Sequence, residues 1–347
     1  MFAYDQAFKR NIGWVSAEEQ NRIKDFTIAI GGLGGVGGSH AITMARMGFT
    51  KFRIADLDHY ELSNFNRQDG ANIKNIGRSK IDVTAETLMV INPNIEITRF
   101  DNGLSKDNID EFLTGADIYL DSLDIFALDI RRHVFESCAA LNIPALTAAP
   151  LGMGTAFLAF LPLTGMDFKT YFDMRDPSPA AISKALNKPA TLYMLHLEHY
   201  IDNIIRFISG VAASAMQRHY LIDKTKVNFF TKDVPSLKVG IDMAAGVLCS
   251  NAVKILLGRG DVPAAPHGLH FDAYLNTCKK TWRPMGQKNP LSALTRHIIR
   301  RLLNVDDMLS HIRHELEQAE KDGKLKPYYS SDDLYILLQK YRQQATS

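Results

Sequence analysis

The stretch 28-IAIGGLGGVGGSHAITMARMG-48 decides the fold, because an apolar run leads into a cluster of glycines and then into a helical pattern. "FTIAIGG" predicts a short buried strand, and residues 36–48 predict a helix that ends at Gly48. "KFRIADLD" predicts a second strand directly afterwards, so these segments form a β-α-β unit. The glycines between the first strand and the helix are Gly32, Gly34, Gly35 and Gly37. Without side chains, this turn can approach a phosphate or a ribose at the positive end of the helix.

Strands and helices continue to alternate beyond this unit. "IEITRF", "DIYLDSLD" and "IPALTAA" predict further strands, and "ALDIRRHVFESCAALN" predicts an amphipathic helix. This alternation is typical of an α/β fold with a doubly wound, mostly parallel Rossmann-like sheet, whose ligands bind at the carboxyl ends of the strands. "GTAFLAFLP" and "GLHFDAY" predict additional antiparallel strands outside the repeat.

The sequence also predicts how the chain is divided. Residues 1–26 are expected to form an N-terminal helical arm, and residues 27–285 the main domain, with an insert at about 163–239. A long helix is expected from roughly Ala190 to Leu221, followed by a core helix over "KVGIDMAAGVLCSNAVKILLG". Residues 286–347 are expected to form a helical C-terminal extension, because apolar residues recur there at helical spacing.

Composition and charge exclude several classes of protein. The 347-residue chain is 46% hydrophobic and 22% charged, as expected of a globular protein, and its net charge of +2 is too small to indicate a nucleic-acid partner. The first residues lack the apolar core of a signal peptide. The uncharged run 138–166 is divided by prolines into pieces typical of buried strands, so no membrane span is expected.

The three cysteines, Cys138, Cys249 and Cys278, are far apart in the sequence and form no CxxC pair. This spacing indicates neither a disulfide framework nor a zinc ribbon, and we expect a reducing, cytoplasmic environment. Cys138 and Cys249 fall on apolar helical segments, where cysteine is ordinarily buried and unreactive. Cys278 lies on a strand-like segment beside two lysines, where a structural cysteine is again the expectation.

Polar residues after the second strand indicate which nucleotide the glycine turn binds. Asp56 ends that strand, where a carboxylate can bond ribose hydroxyls, and Asp58 either supports the same site or caps a turn. The segment beyond supplies Asn64, Asn66, Arg67, Gln68, Arg78 and Lys80. A triphosphate under attack develops charge that cations must stabilise, whereas a dinucleotide needs few of them. These residues therefore favour ATP over NAD.

Two carboxylates mark the end of the later strand "DIYLDSLD". Asp124 is expected to point into the same crevice and to bind a Mg²⁺ ion that bridges the phosphates. Asp121 is expected either to support the site or to cap a turn.

With these residues in place, the chain resembles the E1-like, ThiF/MoeB-type adenylating enzymes, which include the activators of ubiquitin-like proteins. The matching segments are "GGLGGVGG", "DLDHYELSNFNRQ", the lysine of "GRSK" and "DSLD", in the family's order and spacing. "INPN" at 91–94 and "GVLCSNAVKILLG" at 246–258 also match. The resemblance covers about residues 5–285 and is more specific than the glycine turn alone.

The resemblance implies a role for each matching residue. It implies that the glycine turn passes close to ATP, that Asp56 binds the ribose, and that Asp124 binds Mg²⁺. It implies that the phosphates are contacted by Asn64, Arg67, Gln68 and Lys80. In a homodimer, Arg10 would reach the partner subunit's site. The implied reaction is attack of a substrate carboxylate on the α-phosphate of ATP, which gives an acyl-adenylate and pyrophosphate. The implied substrate is a peptide, a ubiquitin-like protein or a small acid.

The chain also departs from that family in two respects. Many members bind zinc through two CxxC pairs, and this sequence has none, so no zinc is expected. Members that form a thioester use a cysteine in a loop that here corresponds to 163–239, where the sequence has no cysteine. We therefore expect adenylation without an enzyme thioester.

Two other hypotheses remain open at this point. One is a tRNA-modifying enzyme of the same superfamily that activates a carboxylate on a modified base, against which the modest charge argues. The other is a non-catalytic nucleotide-binding protein or a Rossmann oxidoreductase, against which the cations after Asp56 argue.

Overall fold

The computed structural model describes residues 2–212, 216–223, 226 and 234–325. The chain forms two compact units. The first consists of Met1–Tyr171, Val211–Leu221 and Ser236–Pro284. The second consists of Phe172–Gly210, Ile222–Pro235 and the chain from Met285 onwards.

The first unit is built around one eight-stranded sheet with the strand order β3-β2-β1-β4-β5-β6-β7-β8. The strands are β1 Thr27–Gly31, β2 Lys51–Ala55, β3 Glu96–Phe100, β4 Ile118–Asp121, β5 Ala145–Leu151, β6 Gly154–Phe160, β7 His267–Asp272 and β8 Thr277–Trp282. The first five strands in that order pair in parallel, and the pairs from β5 to β8 are antiparallel. This sheet confirms the predicted α/β, doubly wound, mostly parallel fold with additional antiparallel strands.

Twelve α-helices lie within the described part of the chain. They are α1 Tyr4–Ala7, α2 Ala17–Ile23, α3 Gly35–Met47, α4 Lys80–Ile91, α5 Ile109–Leu113, α6 Leu128–Ala140, α7 Phe168–Phe172, α8 Pro179–Ala185, α9 Pro189–Val211, α10 Lys238–Leu257, α11 Pro290–Leu302 and α12 Val305–Lys321. The expected helix over 190–221 therefore ends earlier, at Val211, just after Gly210, a residue of low helix propensity. Residues 213–215 of that prediction lie outside the described residues.

The β1-turn-α3 unit forms where the sequence predicts it. Ile28 and Ile30 on β1 are fully buried, as are Ala41 and Met44 on the inner face of α3. Gly48 ends the helix with φ of 102°, a left-handed conformation that glycine adopts without strain. The core of the first unit therefore fixes where the glycine turn begins and ends.

Helix α10 is a core helix of the first unit. It packs against α3 and against β5 and β6, and Ala244, Leu248 and Ala252 are almost fully buried. By length and composition it is also the one described helix apolar enough to cross a membrane, but a soluble core helix passes the same test, and half of that window is buried.

The second unit has a hydrophobic core of its own. Tyr193, Leu197, Ile201 and Ile205 recur along one face of α9 and are buried. They belong to one cluster with residues of α11 and α12, namely Ile299, Val305, Leu309, Ile312 and Leu316. These three helices are thus held together by a shared hydrophobic cluster.

Candidate active site

The glycine turn, Asp56 and the 122–124 loop follow β1, β2 and β4, three neighbouring parallel strands. Because the strands are parallel, their carboxyl ends lie at one edge of the sheet. The first residue of the glycine turn, Gly32, donates its N–H to the carbonyl of Ala55 at the end of β2 (2.8 Å). A would-be side chain on Gly32 would collide with the carbonyl of Ser122, directly after β4. The three strand ends are therefore in direct contact.

The four predicted glycines have different surroundings. Gly32 has φ of 88°, and a Cβ on Gly37 would collide with the Gly32 carbonyl, so these two glycines allow the turn itself to close. A Cβ on Gly35 would lie 3.0 Å from Ile241 of α10. Around Gly34 there is open space, because a Cβ there would meet only the amide nitrogen of Gln68, at 3.7 Å. Gly34 is thus where a ligand can approach the turn.

Asp56 connects β2 to the glycine turn. It is 8% exposed, and its two carboxylate oxygens accept the N–H groups of Leu33 (2.5 Å) and Asp58 (2.7 Å). Burial raises the pKa of Asp56 above its ordinary value, although the two N–H groups and the charge of Lys80 oppose the shift. The carboxylate is thereby fixed in place, with lone pairs left for a further donor.

Lys80 is the first residue of α4 and is 6% exposed. Its Nζ lies 3.0 Å from Oδ2 of Asp58, whose side chain is 58% exposed. The charge of Lys80 also acts on Asp56. One buried ammonium thus lies near two carboxylates, and the Asp58 partner is open to solvent. An incoming phosphate can therefore reach this ammonium by displacing Asp58, whose carboxylate is then solvated while the phosphate replaces it as the partner of the buried charge.

The segment from Asn64 to Gln68 adds a cation and a buried amide. Asn64 is buried and its Oδ1 accepts the N–H of Glu61 (3.0 Å), which shapes a short 3₁₀ turn. The Nη1 of Arg67 donates to the Ser63 carbonyl and to Oδ1 of Asn66 (both 2.9 Å), which are neutral partners. Gln68 is 7% exposed, and within the described chain its Oε1 has no hydrogen-bond partner. This side of the turn therefore has an available cation and an available acceptor.

The two carboxylates after β4 have separate roles. Asp121 is 2% exposed and pairs with Nε of Arg131 on α6 at 2.9 Å, so it stabilises the core. Asp124 is exposed, and its Oδ1 accepts the N–H of Phe126 (2.9 Å). Of the pair, Asp124 is therefore the one that can contact a bound ion.

Arg10 lies away from these residues. Its neighbour Asn11 donates to the Met47 carbonyl (3.1 Å), and Tyr4 donates to the Gly48 carbonyl (2.7 Å), which anchors the N-terminal arm at the C-terminal end of α3. The glycine turn is at the other end of this helix, about 20 Å away for its 13 residues. That distance is longer than any side chain, so Arg10 does not reach the glycine turn of its own chain.

Comparison with known proteins places the chain in a family. The sequence profile described as the ThiF family matches residues 8–293, most of the chain. The chain belongs to the ThiF family. The resemblance predicted from the glycine turn and the segments after it is thus confirmed.

Several curated relatives are similar to part of this ThiF-family chain. The sulfur carrier protein ThiS adenylyltransferase of Escherichia coli is 31% identical over 148 residues, which is 43% of this chain and 58% of that protein. The tRNA threonylcarbamoyladenosine dehydratase of Bacillus subtilis is 28% identical over 142 residues, 41% of this chain and 55% of that protein. The chain thus spans just over half the length of these relatives.

Solved structures share the fold over a greater length. E. coli MccB crystallised with MccA superposes with a TM-score of 0.58 at 15% identity, covering 84% of this chain and 75% of that one. PaaA superposes with a TM-score of 0.56 at 16% identity, covering 81% and 76%. At these identities the likeness shows the fold of the ThiF-family chain and nothing finer.

The described part of this ThiF-family chain has no preformed cluster of metal ligands. Within the described ranges, no group of three or more His, Cys, Asp or Glu side chains could hold a metal ion by itself. Asp124 supplies one exposed carboxylate, which suits Mg²⁺, an ion that proteins often bind through one or two carboxylates together with substrate phosphates.

Three residues next to the site were not predicted from the sequence. The Nζ of Lys238 lies 2.8 Å from Oδ1 of Asp69 and 3.3 Å from Oγ of Ser39, and Ser39 itself donates to Asp69 (2.5 Å). These residues come from three separate segments of the ThiF-family chain, so no local pattern connects them. The one local signal is the i, i+4 pair of Lys238 with Asp242.

Proposed function

We propose that the protein catalyses the ATP-dependent adenylation of a substrate carboxylate. The carboxylate attacks the α-phosphate of ATP, an acyl-adenylate forms, and pyrophosphate leaves. The observation that carries the proposal is the buried Lys80 ammonium with its displaceable partner Asp58, at the strand edge where Asp56 and the open Gly34 also lie. Membership of the ThiF family and the naming of a relative as an adenylyltransferase support it.

The proposed roles follow from the surroundings of each residue. The open backbone at Gly34 lies against the nucleotide, and the fixed carboxylate of Asp56 accepts a ribose hydroxyl. Lys80 and Arg67 bind the phosphates and stabilise the charge on the departing pyrophosphate. The buried Oε1 of Gln68 accepts a hydrogen bond from the nucleotide. The backbone conformation around the site is maintained by five further residues: Gly32, Gly35, Gly37, Asp58 and Asn64. Catalysis then comes from alignment and electrostatics.

We propose that Asp124 holds Mg²⁺ when ATP is bound. Its exposed carboxylate, with one oxygen committed to the Phe126 N–H, leaves the other oxygen for the ion. The ion would neutralise charge on the phosphates.

The proposed substrate is the C-terminal carboxylate of a peptide or of a small ubiquitin-like protein, or a small acid. The ThiS adenylyltransferase, a relative, has a sulfur carrier protein in its name. MccB, which has the same fold, was crystallised with MccA, including N-formylated MccA. These examples favour a polypeptide carboxylate over a small acid.

We further propose that no enzyme thioester forms. Cys138 and Cys249 are buried, and burial raises the pKa of both thiols, that of Cys249 to about 12. A thiol in this state supplies almost no thiolate near neutral pH. Cys278 is exposed on β8, at an edge of the sheet and three strands away from β5, the last of the parallel strands. The acyl-adenylate would therefore pass directly to an external nucleophile.

We propose that Arg10 acts in a homodimer. Because Arg10 lies at the opposite end of α3 from its own glycine turn, its only route to a nucleotide is the site of a partner subunit. This agrees with the trans role that the resemblance implies.

Pyrophosphate exchange tests the proposed reaction. The protein is incubated with ATP, Mg²⁺, labelled pyrophosphate and a panel of candidate acids that includes peptides and ubiquitin-like proteins. We expect at least one acid to drive label into ATP, because adenylation is reversible until the acyl group is transferred. No exchange with any acid, together with tight binding of NAD(H), would overturn the proposal in favour of an oxidoreductase.

A second candidate is supported by relatives with a different name. The dehydratase of B. subtilis carries tRNA in its name, and a related enzyme would activate a carboxylate on a modified base. The two candidates are distinguished by supplying bulk tRNA in the same exchange assay, since only the second predicts label in ATP with tRNA as the sole acid.

A further inference from the structure

The start of α10 is joined to the neighbourhood of the glycine turn by four polar residues, which we call the Lys238 cluster: Lys238, Asp69, Ser39 and Asp242. The Nζ of Lys238 contacts Asp69 at 2.8 Å, Asp242 at 2.5 Å and Ser39 at 3.3 Å. An ammonium has three N–H donors, and each has an acceptor here. The cluster therefore ties α10 and α3 to the residue that directly follows Gln68.

A second contact holds the same segment from its other side. The side-chain amide of Asn66 donates to the carbonyl of Ser236 (2.8 Å), two residues before α10 begins. Arg67 and Gln68 thus lie between Asn66 and Asp69, and both of these residues are bonded to residues at the N-terminal end of α10. A Cβ on Gly35 would lie 3.0 Å from Ile241 and 3.4 Å from the Arg67 carbonyl, so α10, α3 and this segment pack closely together.

The neighbouring Ser39 and Lys238 resemble a serine nucleophile with a lysine base, but their environment excludes that role. Ser39 is 5% exposed and donates its hydroxyl to Asp69. Burial lowers the pKa of Lys238, but the hydrogen bonds to Asp242 and Asp69 raise it by more, so the net pKa lies above the ordinary value. Lys238 therefore stays an ammonium, which cannot act as a general base.

We propose that Lys238 and Asp69 are positioning residues for the nucleotide, which hold Arg67 and Gln68 beside the glycine turn before ATP binds. This inference rests on the proposed function and deepens it. The N–H groups of Arg67 and Gln68 both donate to the Asn64 carbonyl (3.1 and 3.0 Å), so this turn is bonded locally. The contacts of Asn66 and Asp69 fix where the turn lies against α3 and α10. Ordering it in advance removes an entropic cost that ATP binding would otherwise bear.

Steady-state kinetics with the full chain supplies the first test. Lys238→Met and Asp69→Ala are each expected to raise the KM for ATP about tenfold while kcat changes less than about threefold, because ATP binding then has to order Arg67 and Gln68, which are in place again once ATP is bound. Lys238→Arg, which retains the charge, is expected to restore most of the affinity. The matched control is Lys254→Met, because Lys254 lies near the other end of the same helix and its Nζ donates to the Asp261 carbonyl, away from the Lys238 cluster.

Hydrogen exchange of the nucleotide-free protein supplies the second test. Backbone amides of residues 66–70 are expected to exchange about tenfold faster in Lys238→Met and Asp69→Ala, but not in Lys254→Met. The double variant is expected to exchange no faster than either single one, since the two side chains act as a unit. Asp69 is partly exposed, so Asp69→Ala is expected to leave the protein folded. It therefore tests the positioning role if Lys238→Met gives little folded protein.

The outcomes separate this inference from the proposed function. Unchanged exchange at residues 66–70, or effects that simply add in the double variant, would overturn the positioning role. A wild-type protein that adenylates no acid contradicts the proposed function alone, and hydrogen exchange then decides the inference by itself.

Discussion

At the scale of single residues, the proposed chemistry depends most on Lys80. Lys80→Met keeps the buried stem and removes the charge, and its partner Asp58 is solvated without it. We expect pyrophosphate exchange to fall about 100-fold or more with little change in Tm, because a charge aimed at the leaving group is lost. Lys74→Met, at an exposed lysine of the same segment, is the control. Near-normal exchange by Lys80→Met would remove Lys80 from the mechanism.

The proposed role of Asp124 is tested by measuring how the rate of pyrophosphate exchange depends on the Mg²⁺ concentration. We expect Asp124→Asn to lower exchange at least about tenfold and to raise the Mg²⁺ concentration needed for half-maximal rate, because a neutral amide is a weaker ligand. Exchange is measured across a Mg²⁺ titration for this variant and for Asp129→Asn, a nearby exposed carboxylate on α6. A titration curve identical to that of the wild type would contradict the assignment.

The absence of an enzyme thioester is tested by removing the cysteines. We expect the variant with Cys138, Cys249 and Cys278 all changed to alanine to retain exchange within about threefold, because no cysteine takes part in adenylate formation. Acyl transfer to an added nucleophile is measured in parallel by mass spectrometry. Trapping the acid as a thioester on any of the three in the wild-type protein would show that this part of the proposal is wrong.

Site residues can be proposed from the sequence where neighbours in the chain are also neighbours in space. Asp56 is predicted because it ends a predicted strand, and Lys80 because it belongs to the run of polar residues that follows Asp56 and to the matching segment "GRSK". The sequence distinguished Asp124, the expected ion ligand, from Asp121, but it did not indicate that Asp121 pairs with Arg131, ten residues later and buried with it. Nor could it find Lys238, whose partner Ser39 lies 199 residues earlier in the chain.

At the scale of elements, two glycines within helices are expected to respond differently to substitution by alanine, because one packs against the closed glycine turn and the other does not. Gly37→Ala places a methyl group against the Gly32 carbonyl and is expected to destabilise the protein by about 1–3 kcal/mol or more, because the turn must open. Gly246→Ala on α10 meets open space and is expected to stabilise it by about 0.5–1 kcal/mol. Denaturant unfolding measures both. Equal effects of the two substitutions would contradict the packing described for Gly37.

Periodicity predicted single elements well and their arrangement only in part. The apolar runs at β1 and β6 predicted buried strands, and Gly48 predicted the end of α3. The order of the antiparallel strands could not be predicted, because β6 pairs with β7, more than 100 residues later. The end of α9 was missed, because the apolar residues beyond Gly210 continue the helical pattern after the helix has ended.

At the scale of the whole molecule, the position of Arg10 predicts complementation between subunits. Arg10→Ala and Lys80→Met are each expected to be nearly inactive alone. Mixed and allowed to exchange subunits, they are expected to recover about a quarter of wild-type exchange, because half of the random dimers carry one intact site out of two. No recovery, in a mixture shown to contain heterodimers, would contradict a role for Arg10 in trans.

The division of the chain into these two units also could not be predicted from the sequence. The core of the second unit joins α9 to α11 and α12, so Ile201 and Ile312 contribute to one cluster from distant parts of the chain. The apolar face of each helix can be recognised in the sequence, but it does not indicate which other helix packs against that face.

The contact between Gly37 and the Gly32 carbonyl limits how the protein can be redesigned. A laboratory library that randomises the whole turn would consist mostly of misfolded clones, because neither position tolerates a methyl group. A library confined to position 34 and to the nearby Gln68 would keep the backbone intact while altering the surface presented to a base or sugar. Directed evolution toward a different nucleotide should therefore vary these two positions and leave the rest of the turn unchanged.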